Sequence, residues 1–148
     1  MSEQQRRRRQ VACLRRRNGL YAFGFGLSYT PFVYDNFKVL AKKSGANDAL
    51  VTSAEVGNTG GRGGDEVVQV YVHQQKCGVR QPIQQLRAFR RVHLAAGQKQ
   101  TVTPSLPVKA WAYWDTKSHA FVLEPGAFDI LVAASSADIR AQTQVHVR

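Results

Sequence analysis

Residues 66–74, EVVQVYVHQ, alternate strictly: Val68, Val70 and Val72 share one face, Gln69 and Tyr71 the other. A period of two marks a strand with one face buried. The same spacing groups Phe128, Ile130 and Val132 within 127–134, and Ile139, Ala141, Val145 and Val147 within 139–147. Further runs rich in β-branched and aromatic residues lie at 32–40, 49–56, 85–94, 100–106, 110–115 and 120–123. Turn signals such as KKSGAND, GNTGGRGGD and EPG separate them. No window carries a capped 3.6-residue apolar period. Short strands at this spacing predict an all-β antiparallel sandwich or barrel. A parallel α/β arrangement needs crossover connections of about a dozen residues, for which there is no room. Pro104 interrupts TVTPSL. Proline cannot donate to a ladder, so this strand is expected at a sheet edge or broken at that residue.

The stretch YAFGFGLSYTPF, residues 21–32, is different in kind. It places five aromatic rings in twelve residues, with Gly24 and Gly26 between them. The glycines leave a bare backbone side opposite a large apolar side, which suits close packing. Two readings stay open. The rings plug one end of this chain's own sandwich, or they pack against a different surface.

The motifs resemble, in order, those of the C-terminal fibronectin type III-like domain of family-3 glycoside hydrolases, the β-glucosidases and β-xylosidases. YAFGFGLSYTPFVY resembles that domain's opening segment. VGNTGGRGGDEVVQVYV (56–72), RQPIQQLRAFRRVHLAAGQKQTV (80–102) and EPGAFDILVAASSADIR (124–140) resemble its later runs. The resemblance spans Leu20 to Val147 and implies an immunoglobulin-like antiparallel β-sandwich. Departures are local: Ala22, Phe25, Gln84, Gln85, Ala88 and Ala134 replace common residues of the family. The implied organisation is a disordered basic tail over 1–19, an aromatic/Gly segment over 20–31, and the sandwich over 32–148. In the family the nucleophile and the acid/base stand in two preceding domains, so the resemblance implies a non-catalytic, supporting module. Its implied partners are those catalytic domains, contacted through Tyr21, Phe23, Phe25, Leu27 and Tyr29. No cofactor is implied, and the oligomeric state stays open.

The chain's own chemistry agrees with that expectation. Asp65 and Glu66 are adjacent, and neighbouring strand residues point to opposite faces. Glu124 and Asp129 flank a turn. Paired glycosidase carboxyls must face each other across about 5–10 Å. His73, His93, His119 and His146 are scattered without metal-ligand spacing, so no metal is expected. Cys13 and Cys77 make no disulfide framework. Ser28 lacks the Gly-x-Ser-x-Gly elbow. A carbohydrate-binding alternative rests on Trp111, Tyr113 and Trp114 in WAYW, of which one side must be core.

Charge changes the picture at one end. The net charge is +11, and seven of the twenty-one basic residues are arginines between positions 6 and 17, against Glu3. Like charge at that density predicts disorder. Nucleic-acid binding through this tail, a neutral extension and a remnant of a longer reading frame are its three readings. No aromatic interleaves the arginines, and nucleic acid is not the expected partner. No stretch reaches the roughly 20 apolar residues of a membrane span. No secretory leader is recognisable, so cytoplasmic placement is the default expectation.

Overall fold

A computed structural model of the chain describes residues 20–40, 43–79 and 81–148. The basic tail and Cys13 lie outside these residues. Among the described residues the strands are β1 (Phe32–Val39), β2 (Lys43–Ser44), β3 (Ala49–Asn58), β4 (Gly64–Gln74), β5 (Gln85–Leu94) and β6 (Lys99–Val102). They continue as β7 (Ser105–Pro107), a 3-10 turn (Val108–Trp111), β8 (Tyr113–Asp115), β9 (Ala120–Val122), β10 (Gly126–Ala133) and β11 (Ile139–Val147).

One sheet runs β1-β3-β6, with β7 also paired to β3; the other runs β2-β11-β10-β4-β5. β8 and β9 form a separate hairpin. Every pairing is antiparallel except the short contact of β2 with β11. This is the expected two-sheet sandwich. Alternating residues of both sheets meet between the layers: Leu50 and Val70 with Leu106, Phe128 and Ile130, then Val56 and Val68 with Leu94 and Val132. These side chains are buried, the outcome that period two requires.

The chain breaks at Thr103–Pro104, as the proline predicts. β6 pairs with Ala54–Gly57 of β3, and β7 resumes opposite Ala49–Val51. At the gap, Thr52 N and Thr52 Oγ1 both donate to Pro104 O, at 3.0 and 3.1 Å. Proline's missing donor therefore leaves no ladder bond unmade there, and its carbonyl satisfies a buried threonine.

Two expectations are corrected. β4 is not a half-buried strand: Val68 through Val72 are all buried. Tyr71 packs on the outer face of its sheet with Leu131, Ala133 and Leu86. The segment predicted as one strand at 110–115 is extended only from Tyr113, because Trp111 ends the 3-10 turn and enters the core against Phe128.

β5 contains a bulge. Val70 pairs with Ala88 and Tyr71 with Leu86, so Arg87 has no cross-strand partner. The extra residue reverses which face each β5 side chain meets beyond that point. Leu86 thereby reaches the outer cluster with Tyr71.

Candidate functional site

The aromatic segment crosses the outer face of the larger sheet beside Tyr71. Its main anchor is Gln69, 4% exposed at the middle of β4. Gln69 Nε2 donates to Gly24 O at 2.9 Å and to Ala134 O at 2.7 Å, while Oε1 accepts from Tyr71 Oη at 2.6 Å. Ser136 N donates to Phe23 O at 2.9 Å, and Phe25 N closes a turn onto Ala22 O at 3.0 Å. Gly24 is required here twice over. Its φ is 75°, and a Cβ would lie 2.1 Å from Gln69 Oε1.

A second anchor holds the end of the segment. Thr30 Oγ1 donates to Asn58 Oδ1 at 2.5 Å, and Gly60 N donates to the same oxygen at 3.0 Å. Asn58 Nδ2 donates to Arg62 O at 2.7 Å and to Leu94 O at 3.1 Å. Both Asn58 and Thr30 are buried, so every one of these bonds replaces water.

The segment's backbone is thus tied to the sheet while its large side chains stay exposed. Tyr21 is 68% exposed, Phe23 66%, Phe25 49%, Leu27 91% and Tyr29 98%. These rings do not plug the sandwich. Tyr21 and Phe25 stack on each other, centroids 5.4 Å apart. A groove of about 480 Å³ runs between the segment and β4–β5, walled by Phe25, Leu27, Val67, Leu86 and Phe89. Phe89 is itself 67% exposed.

The carboxylates of the sequence are each engaged by a different partner. Asp65 is exposed; it accepts from Arg91 Nη2, and its Oδ1 lies 2.8 Å from His93 Nδ1. Those bonds, Arg91 first, hold its pKa below the usual range. Glu66 points the other way, half-buried, and accepts from Tyr34 Oη at 2.6 Å. Burial raises Glu66 above the usual carboxylate range, and burial with the Glu66 bond raises the Tyr34 phenol. Glu124 accepts from Tyr113 Oη at 2.6 Å and from Gly78 N at 2.9 Å, which lowers its pKa and pushes Tyr113 up to about 12. Asp129 accepts from Gln75 Nε2 at 2.9 Å. Each of these groups ties two strands or a loop together.

The three aromatic residues of WAYW are not brought together. Trp111 is 3% exposed, Tyr113 is bonded to Glu124, and Trp114 stands on the β8–β9 hairpin edge-on to Phe121 at 5.2 Å. Among the described residues no group of three or more His, Cys, Asp or Glu is placed to hold a metal ion. No helix among them is long and apolar enough to cross a membrane. Cys77 is a free thiol contacted by Gln81 Nε2 at 3.0 Å.

Residues 66–136, from the third residue of β4 to the loop after β10, match the family model of the fibronectin type III-like domain. The chain carries a fibronectin type III-like domain. Over 128 residues this chain is 38% identical to a β-glucosidase of Rhizobium radiobacter and 40% to thermostable β-glucosidase B of Acetivibrio thermocellus. Each match covers 86% of this chain but only 16% and 17% of those two proteins. The crystal structure of a GH3 β-glucosidase from Bifidobacterium adolescentis superimposes with a TM-score of 0.79 at 41% identity, over 86% of this chain and 18% of that one. The fibronectin type III-like chain therefore corresponds to the C-terminal-type module of family-3 glycoside hydrolases and spans about a sixth of their length.

The matched relatives place the fold, while Gln69, Asn58 and Thr30 emerge from the geometry alone. A glutamine set among valines in a buried strand is the sequence signal that could have marked the first. Asn58 reads in sequence as an ordinary turn residue, and nothing local distinguishes it from an exposed one.

Proposed function

We propose that this chain is a non-catalytic, supporting module of a family-3 β-glucosidase-like hydrolase, docking neighbouring domains through its aromatic segment. The segment 20–31 and the sandwich 32–148 act in this reading as one unit. Tyr21, Phe23, Phe25, Leu27 and Tyr29 form its contact surface. The observation that carries the proposal is the pinned backbone with apolar side chains left 49–98% exposed. Contiguous apolar surface of this kind marks interfaces on folded proteins. The similarity to about a sixth of family-3 β-glucosidases supports, as the partner, the catalytic domains that such enzymes carry in the same chain.

The test has two readouts on the purified full chain. It hydrolyses no aryl β-glucoside, and it binds a hydrophobic dye whose fluorescence falls several-fold in Phe25→Ser/Leu27→Ser/Tyr29→Ser at an unchanged unfolding midpoint. A dye-silent wild-type chain, or turnover lost on substituting Glu124 or Asp129, overturns the reading.

A further inference from the structure

Away from the aromatic segment, a cavity of about 10 Å³ lies where β4, β5 and the 3-10 turn meet, against Val72 and Phe128 of the core. Gln74, Arg87 and Trp111 line it. Each carries a buried nitrogen with no hydrogen-bond partner among the described residues: Gln74 Nε2, Arg87 Nε and Trp111 Nε1. All three are donors. Folded chains rarely leave one such donor without an acceptor, and three at one place point to a bound acceptor.

The β5 bulge builds the site. With Arg87 unpaired, Gln85 falls opposite Val72, and both Gln85 and Arg87 reach the cavity wall. Gln81 completes it from the loop before β5. Gln81 Oε1 accepts from Gln85 Nε2 at 3.2 Å, and Gln85 Oε1 accepts from Arg87 Nη2. An amide oxygen has two lone pairs, so each keeps capacity for another donor. The walls therefore offer three free donors and spare acceptors, around space for a single water. A monoatomic anion such as chloride is larger than water and would meet those amide oxygens unfavourably.

We propose that this cavity is a binding site for one structural water. The water accepts from two of the three nitrogens at a time, and it donates to the amide oxygens of Gln81 and Gln85. It links the core tryptophan to the bulged strand and to the loop before it. This role is independent of any docking by the aromatic segment.

The test is water-selective NMR on the full chain. The Trp111 indole proton shows cross-relaxation with water of the sign that marks long residence, whereas the indole of exposed Trp114 shows only exchange with bulk. Oxygen-17 relaxation dispersion detects a long-lived water that is lost in Gln74→Met/Arg87→Met. If that variant fails to fold, the wild-type indole measurement decides alone. The proposal is overturned by absence of the water contact, by a scalar coupling from the indole to a protein carbonyl, or by an indole resonance that titrates with chloride.

Discussion

Replacing Gln69 by methionine separates the aromatic segment from the sandwich with little change of shape. The apolar stem keeps its contacts and the amide disappears. Three bonds go with it: Nε2 to Gly24 O at 2.9 Å, Nε2 to Ala134 O at 2.7 Å, and Tyr71 Oη to Oε1 at 2.6 Å. A neutral bond contributes about 0.5–1.5 kcal/mol net, but a buried group left without a partner costs about 1–3 kcal/mol. Tyr71 is 1% exposed, so its hydroxyl carries the full penalty. The Gly24 carbonyl belongs to a surface segment and regains water. The expected loss is about 3 kcal/mol. With a urea slope of about 1–3 kcal/mol per molar, the midpoint falls by about 1–3 M. Hydrogen exchange adds the local readout. Protection at Phe25 N and Ser136 N, which bond to Ala22 O and Phe23 O, should fall further than protection in β10. A midpoint shift below about 0.3 M, or unchanged protection at those two amides, refutes the anchoring.

Three further outcomes follow from the same contacts. Gly24→Ala should destabilise by more than the roughly 1–2 kcal/mol of its left-handed backbone, because the new Cβ also displaces Gln69; urea unfolding measures it. Asn58→Asp sets a carboxylate against the carbonyls of Arg62 and Leu94 and should cost about 3 kcal/mol or more at neutral pH, partly recovered in acid when the carboxyl protonates and can donate. Glu66 has a folded pKa above its unfolded value, so its contribution is full below the ordinary glutamate range and is lost as pH rises through the folded pKa. Glu66→Gln, which still accepts from Tyr34, should therefore gain on wild type between acid and neutral pH, and an unfolding midpoint difference independent of pH would contradict that.

The sandwich was legible because both of its layers are built from period-two strands whose inward residues are Val, Ile, Leu and Phe. Pro104 was legible for a covalent reason, its absent N–H. The outer face of β4 was not legible. Gln69 and Tyr71 read as solvent-facing because their partners are distant in sequence: Gly24, which Gln69 bonds, lies 45 positions away, and Leu131 and Ala133 pack on Tyr71 from β10. Pattern within a strand says nothing of such partners. The β5 bulge escaped for a related reason: QLRAFRRVHL alternates too loosely to fix which residue is extra, and only pairing with β4 shows it to be Arg87. Trp111 read as part of a strand because WAYW is rich in rings, yet the three preceding residues turn in a 3-10 geometry that aims it into the core. β2, at two residues, is too short to carry any period.

The arrangement of the aromatic segment bears directly on the proposed docking role. In an ordinary amphipathic strand the apolar side chains seek the core and the polar ones seek water. Here the backbone is tied to the sheet at Phe23, Gly24 and Thr30, and five large apolar side chains stay exposed. Hydrogen bonds, rather than the rings, hold the segment down. Fully burying one such side chain is worth about 1.5–3 kcal/mol, so covering five would release on the order of 10 kcal/mol before association costs. Those costs include ordering the contact surface, and Gln69 and Asn58 already order it in the uncovered domain. A surface fixed in advance by buried amides is thus suited to receive a partner without rearrangement. Releasing it through Gln69→Met should weaken docking even though that substitution touches no contact residue.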